Sequence, residues 1–349
     1  MGLMDKPVVI EKFRRFHHNV RKNDGKIGTN LRVLELVYNN ACNFACRHCS
    51  TRAPLGDNAK DLMPLPRVAQ LADEAHEMGI IEWNFHGGEL LTDVERLFEL
   101  IAVVRTERFY TFLTSNGYLL TEEIAGRLAK AGIDRVSISI DSMNPEIHDS
   151  FRGVTGAYEH AMRALEYVKA AGMAPFMNIT VGHYNAFSED LEKLCQYSFE
   201  KGYTTLINIA IPSGNWKGNL DVIIDERDRA HLIELRKKYG NILRDLWNPF
   251  DKGHEKCLGC QTMSKLYVTP TGDVLPCSFL HIKIGNVYEK SLKDIVEEGY
   301  KIKFFREHSD LCLAGEDVNF IKKYMQGDMS ALRPLDAQAV FAPEDRMGV

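Results

Sequence analysis

From Arg32 to about Tyr239 the chain alternates between two hydrophobic periodicities. Short runs rich in apolar and β-branched residues, at 32–38, 81–86, 109–115, 135–141, 175–181 and 205–211, read as strands. Between them, apolar residues recur at helical spacing over 65–78, 93–106, 121–131, 157–171, 188–201 and 226–239. Gly79, Gly132, Gly172 and Gly202 stand just past helix ends, where a left-handed residue is wanted. Six strand–helix repeats require a parallel sheet, because each parallel return needs a crossover. Six units suit a partial (β/α)6 barrel, with a doubly wound open sheet as the competitor.

The strand faces choose between them, since residues two apart share a face. Glu82, Asn84 and His86 oppose Ile81, Trp83 and Phe85, and Ser137, Ser139 and Asp141 oppose Val136, Ile138 and Ile140. Asn178, Thr180 and Gly182 oppose Met177, Ile179 and Val181, and Asn208 and Ala210 oppose Ile207, Ile209 and Ile211. A closed eight-stranded barrel fills its lumen with apolar side chains, and a doubly wound sheet is apolar on both faces. A polar inner face therefore implies a wide, open barrel that holds polar ligands.

After Tyr239 this rhythm stops. Asn248-Pro249 reads as a linker, and Pro270-Thr271-Gly272 between two short apolar runs reads as a hairpin turn. Residues 292–298 read as a short helix. The expected organisation is a helical extension over 1–30, a barrel over 31–245, a small second domain over 246–315, and a C-terminal helix and tail over 316–349. The second domain is too small to be stabilised comfortably by a core alone, and its cysteines offer a staple. The tail from Arg333, with Pro334 and Pro343, is expected to be irregular. Residues 10–22 form a short basic amphipathic helix, read as a solvated face packing on the barrel rather than a membrane contact.

Composition excludes more than it assigns. Net charge is −5 with no long run of one sign, so nothing points to nucleic acid. No apolar stretch approaches membrane-spanning length, and the basic N-terminus lacks the apolar region of a secretory signal. Lys6 stands where myristoylation wants Ser or Thr. Eight cysteines without a signal peptide imply reduced thiols in the cytoplasm, serving metals rather than disulfides.

Three of those cysteines, Cys42, Cys46 and Cys49, are spaced C-x3-C-x2-C directly after the first strand. Three thiolates so close suit three corners of an iron–sulfur cube and leave one iron open. Half of a zinc site is the alternative, although zinc sites usually pair two short hairpins. The loop resembles the defining motif of the radical S-adenosylmethionine (SAM) enzymes. The resemblance spans roughly residues 30–315. It implies a partial TIM-like barrel, a 4Fe-4S cluster that chelates SAM, and a flavodoxin- or ferredoxin-type reductant. It further implies reductive cleavage of SAM to a 5′-deoxyadenosyl radical that takes hydrogen from a substrate.

Gly87-Gly88-Glu89 follows the second strand and resembles the family's "GGE" motif at the SAM amino group, with Leu90 in place of the usual Pro. By the same resemblance, Ser115 and Asn116 at the end of the third strand, Ser137, Ser139 and Asp141 on the fourth, and Arg152 in an Arg-Gly pair surround SAM. Arg152 suits a carboxylate through its bidentate fork. Asn178 and Thr180 are further candidate SAM contacts. Each of these residues also has a reading as plain barrel hydrogen bonding.

Cys257, Cys260, Cys277 and Cys312 form a second set, with Cys277 closing Gly272-Asp273-Val274-Leu275-Pro276-Cys277. This resembles the auxiliary-cluster domains called SPASM and, when shortened, twitch; the cysteine count favours twitch with one auxiliary 4Fe-4S cluster. Zinc is again the alternative, and ligation by Cys312 is left open. Without Cys312 an iron would be open, as in the related GTP cyclase of molybdopterin synthesis. That cyclase ends in Gly-Gly, whereas this chain ends Arg346-Met347-Gly348-Val349. Cys195, mid-helix, reads as a core residue rather than a hydrogen-atom donor. His86, on the polar face before the double glycine, reads as a structural imidazole ahead of a substrate contact, and Trp216, at the mouth of the lumen, reads equally as a stacking platform or as surface packing.

The expected substrate is a polar small molecule, such as a sugar, aminoglycoside or nucleoside intermediate. The polar lumen and the lack of a peptide-recognition domain before residue 30 carry that expectation. The runners-up are a ribosomal-peptide maturase and, in another class, a non-catalytic zinc or electron-transfer protein. An auxiliary cluster beside the substrate favours oxidation.

Overall fold

The computed structural model describes residues 3–50, 62–249, 251, 253, 256–326, 330, 331 and 333–347. Helix α1 (Pro7–Lys22) precedes six parallel strands: β1 (Val33–Val37), β2 (Glu82–His86), β3 (Tyr110–Ser115), β4 (Arg135–Ser139), β5 (Ala174–Val181) and β6 (Thr204–Ile209). They lie side by side in sequence order, and a short β7 (Ile242–Leu243) adds parallel to β6. The crossovers are α2 (Leu65–Glu77), α3 (Val94–Val104), α4 (Glu122–Lys130), α6 (Ala157–Ala170), α7 (Glu189–Lys201) and α8 (Glu226–Tyr239). An unexpected helix, α5 (Pro145–Arg152), follows β4. Asn144 caps it through Glu146 N and Ile147 N, Pro145 starts it, and Gly153 ends it at φ 75°.

The strand order shows no reversal, which sets aside the doubly wound alternative. Trp83, Phe85, Val136, Ile138, Met177 and Ile179 face the helices and join Leu71, Leu97, Leu128 and Leu165 in one buried cluster. The opposite face is polar, as the alternation required. The fold is a partial (β/α)6 barrel followed by an iron–sulfur-type C-terminal region.

That region continues the barrel sheet. Strand β8 (Lys265–Val268) pairs parallel with β1, in register Val33↔Lys265, and β9 (Asp273–Leu275) turns back antiparallel on β8. The hairpin is read correctly from its Gly272 signal; that residue sits at φ 85°. Beyond it come β10 (Ile282–Lys283), β11 (Gly285–Asn286), α9 (Leu292–Gly299), α10 (Lys303–Arg306), α11 (Val318–Tyr324), β12 (Leu335–Asp336) and α12 (Ala337–Val340).

Two expectations need correction here. The supposed linker is pinned: Asn248 N donates to Lys256 O, and Arg236 Nη2 donates to Asn248 O. The tail is not irregular either. Strand β12 pairs with β10, and Phe341 packs on Phe304, Phe320 and Tyr324, so aromatic burial holds it down. Gly348 and Val349, which bear on the cyclase comparison, lie outside the described residues.

The barrel floor is an alternating ionic chain. Glu35 pairs with Lys265 (3.2 Å), Lys265 with Asp245 (2.9 Å), Asp245 with Arg32 (3.7 Å), Arg32 with Glu82 (3.3 Å), and Glu82 with Arg135. Arg135 lies over the rings of Tyr110 and Phe112. Beneath the floor, α1 packs through Val9, Phe16 and Val20. Its basic residues are not all solvated. Lys6 is fully buried and donates to Asp134 (2.6 Å), Gly132 O and Phe109 O; Lys12 donates to Ile80 O and Arg108 O. The ends of β-strands and turns leave carbonyls there that need donors.

Candidate active site

The loop after β1 carries Cys42, Cys46 and Cys49 over the lumen. All three line one cavity of about 210 Å³ at the carboxyl ends of the strands. Burial pushes the Cys42 thiol up to about 12 and raises Cys46, against the pull of the Arg152 guanidinium 3.9 Å from its sulfur. One neighbouring cation therefore does not hold these two as thiolates, and iron charge would. The sulfurs are also not gathered for a single small ion. Among the described residues no three cysteine sulfurs all lie within 4.8 Å of one another, whereas tetrahedral zinc draws thiolates to about 3.8 Å. A cube fits this donor set better.

The loop is held from two sides. Gly88 N donates to Asn39 O and Glu89 N to Ala41 O (2.7 Å). A Cβ on Gly88 would stand 2.2 Å from Ala41 O. The double glycine thus seats one loop on another while also bordering the cavity. From the far side Asn215 N donates to Cys49 O (3.0 Å) and Asn215 Nδ2 to Cys46 O (2.9 Å). Asn215→Ala removes the side-chain bond, about 1 kcal/mol. Iron loss to a ferrous chelator is expected to be roughly fivefold faster than in wild type; an unchanged rate would rule out this latch.

The proposed SAM contacts divide into two groups. Gly87, Gly88, Ser115, Asn116, Ser139, Arg152, Asn178 and Thr180 line the same cavity as the cysteines. Glu89, Ser137 and Asp141 do not. Glu89 is buried, and its carboxylate accepts from Leu91 N, Ser115 Oγ and Asn116 N, leaving it committed to the loop after β3. Ser137 is fully buried one pleat below Ser139. Asp141 binds Arg152 Nε at 2.7 Å and accepts from Thr180 N at 2.9 Å. Burial alone would raise Asp141, but Arg152 beside it holds it below the usual carboxylate range. Its role is to aim Arg152, which α5 delivers.

His48 stacks on Phe151 at 4.7 Å with Trp216 tilted beside them, and burial lowers His48 to about 3. His148 is buried, with Nδ1 accepting from Asp141 N; burial and then Arg152 lower it to about 4. The unfolded chain therefore takes up this proton first. Stability from the neutral ring is full above the usual 6.5 and is lost as pH falls toward 4. At pH 5 the loss is about 2 kcal/mol. Urea unfolding at pH 7 and 5 checks this. His148→Asn, which keeps an acceptor for Asp141 N, should lose less on acidification; equal losses refute it.

Cys260, Cys277 and Cys312 come together in the C-terminal region. A hydrogen bond from the Cys312 thiol lowers Cys260 to about 6 and raises Cys312, and Cys260 bears on Cys277. Cys257 is half-buried nearby, its thiol donating to Leu246 O. Cys312 lies 35 residues beyond Cys277, and the stretch between them folds back through β10, β11, α9 and α10, so sequence distance does not separate them. Ser278 and Phe279, next to Cys277, line the main cavity, which brings the second site to the lumen wall. Cys195 is buried in the core on α7.

Sequence reasoning missed Glu35, Lys265, Tyr267 and Asn215. Glu35 had a signal, a lone acid in the apolar run 33–38. Lys265 and Tyr267 had none, because their place in the lumen depends on β8 joining β1.

An open parallel barrel whose first loop presents three desolvated cysteines, with a further cysteine site on its wall, defines an iron–sulfur enzyme that works on SAM. Residues 36–197 match the Radical SAM superfamily, and residues 256–314 match SPASM, an iron–sulfur cluster-binding domain. The chain belongs to the radical SAM superfamily and carries a SPASM-type iron–sulfur domain. Its cofactors are a SAM-binding 4Fe-4S cluster, an auxiliary cluster and SAM. Similar proteins include an AdoMet-dependent heme synthase of Nitratidesulfovibrio vulgaris, 27% identical over 302 residues covering 77% of this chain and 80% of that one. A PqqA peptide cyclase of Granulibacter bethesdensis is 27% identical over 267 residues, covering 73% and 70%. In structure, Streptococcus suis SuiB bound to precursor peptide SuiA superposes with TM-score 0.60 at 17% identity, covering 81% of this chain and 68% of that one.

Proposed function

We infer that this enzyme modifies a peptide or protein side chain. The observation that carries this reading is the charge state of the cavity. Among the described residues lining it, neither permanent cation is left for a substrate carboxylate: Lys265 pairs with Glu35 and Asp245, and Arg152, aimed by Asp141, would be taken by SAM. Heme carries carboxylates, and such a substrate would want free cations in the lumen. A neutral polar side chain would not. The similarity to PqqA peptide cyclases supports a peptide over the sugar, aminoglycoside or nucleoside substrate anticipated from the polar lumen.

Bound SAM, cleaved reductively at the cluster, supplies the radical that takes hydrogen from the substrate. Cys42, Cys46 and Cys49 would hold that cluster, and Cys257, Cys260, Cys277 and Cys312 the auxiliary one. Arg152, aimed by Asp141, would take the SAM carboxylate. The nearness of Cys277 to the lumen supports an oxidation. A flavodoxin- or ferredoxin-type reductant in the cytoplasm completes the reading. No helix among the described residues is long and apolar enough to cross a membrane.

The test uses source cells grown in deuterated medium. Their lysate is divided into peptide and small-molecule fractions, and each is given to the reduced enzyme with SAM. Deuterium is expected in 5′-deoxyadenosine from the peptide fraction. Transfer only from the small-molecule fraction would overturn the peptide reading.

A further inference from the structure

On the lumen wall below the cysteine loop, three neighbouring strands bring together Glu35 from β1, Asn84 and His86 from β2, and Lys265 and Tyr267 from β8. Glu35 is 4% exposed. Its Oε1 accepts from Lys265 Nζ (3.2 Å) and Asn84 Nδ2 (3.2 Å). Its Oε2 is buried and has no hydrogen-bond partner. A carboxylate only accepts, so the bond from Asn84 fixes that amide with its oxygen turned away. Asn84 Oδ1 is likewise buried without a partner, and so is His86 Nδ1. His86 is held edge-on to the Tyr267 ring at 6.0 Å. Glu35, His86, Lys265 and Tyr267 all line the cavity that the three cysteines cover.

Buried acceptors left without donors are costly, and native structures rarely keep them unless a ligand or ordered water completes them. Glu35 Oε2 and the His86 imidazole, both on the cavity, ask for a group that donates to one and accepts from the other. An ammonium or guanidinium would satisfy Glu35, but the charge balance argues against a cation. The floor chain holds three cations, Lys265, Arg32 and Arg135, against three anions, Glu35, Asp245 and Glu82. A further buried positive charge would stand uncompensated. An anion would meet the free oxygen of Glu35 directly.

We propose that Glu35, held by Asn84 and Lys265, forms with His86 a recognition subsite for an uncharged carboxamide of the substrate, and that the subsite rejects anionic groups. In naming a carboxamide of a peptide, whether a side chain or the backbone, it rests on the peptide reading; the subsite itself rests on the geometry. An amide N–H donates to Glu35 Oε2. The amide oxygen faces the imidazole, which offers an N–H in one tautomer.

Crystals of the iron-loaded enzyme soaked separately in formamide, sodium formate and methylammonium chloride decide the matter. The expected result is formamide nitrogen within hydrogen-bond distance of Glu35 Oε2, with neither ion in its place. Glu35→Gln, nearly isosteric and checked for retained iron, should lose the formamide. In the deuterium-transfer assay the same variant should need about tenfold more peptide for half-maximal transfer. Formate or methylammonium at that position would overturn the subsite, and so would ordered water that formamide does not displace. Formamide on Glu35 together with deuterium transfer only from small molecules would sink the peptide reading and leave the subsite standing.

Discussion

Replacing Cys42, Cys46 and Cys49 together by alanine is expected to abolish SAM cleavage and halve the iron. Anaerobically reconstituted wild type should carry about eight irons per chain and the variant about four, if both sites hold cubes. The expectation follows from geometry. The three sulfurs line one cavity under a single loop, and the C-terminal cysteines belong to another part of the fold. Burial raises the metal-free thiols of Cys42, to about 12, and of Cys46. The loop's shape is held by backbone bonds from Glu89 and Asn215 rather than by the sulfurs. The variant should therefore fold and keep its auxiliary iron. Iron and sulfide analysis with SAM-cleavage assays checks this. Four irons in wild type, all lost in the variant, would mean that the C-terminal cysteines hold none. Stoichiometric zinc instead of iron would contradict the cluster assignment.

Glu316→Ala should be the most damaging substitution outside the lumen. The Glu316 side chain is 0% exposed. It pairs with buried Arg244, lies 3.8 Å from Arg229, and accepts from Cys312 N at 2.8 Å. Alanine leaves Arg244 a buried cation without its partner and Cys312 N without an acceptor. Breaking a buried pair in this way costs about 3–5 kcal/mol. The loss falls on the loop that carries Cys312, so thermal stability and auxiliary iron should drop together, with the SAM cluster retained. Glu316→Gln keeps an acceptor for Cys312 N and should lie between the two. A wild-type melting temperature and full iron in Glu316→Ala would show that Glu316 does not hold this loop.

The barrel was legible in the sequence because both of its signals are local. Alternation within each strand separates Trp83 and Phe85 from Asn84 and His86, and the glycines past the helices mark their ends. Gly79, Gly132, Gly172 and Gly202 all take φ between 68° and 88°. Helix α5 was missed because its eight residues give little periodicity to read, although Asn144-Pro145 and Gly153 mark both ends. The cysteines were legible because their spacing is itself the site. The internal partners of Glu89, Ser115 and Asn116, were not legible because they come from a different loop. Glu35 and Lys265 illustrate the same limit. Each is an ordinary residue on an ordinary strand, and only the pairing of β1 with β8 makes them one feature.

That pairing also bears on how the chain is made. Strand β1 is synthesised early, but the neighbour that covers its outer edge emerges only after the rest of the barrel is complete. Until then its backbone donors and acceptors on that side stay open, and Glu35 and Asp245 lack the lysine between them. Such distant pairings are slow to form and leave an edge prone to pairing with other chains. The nascent barrel is an incomplete sheet until its last third emerges.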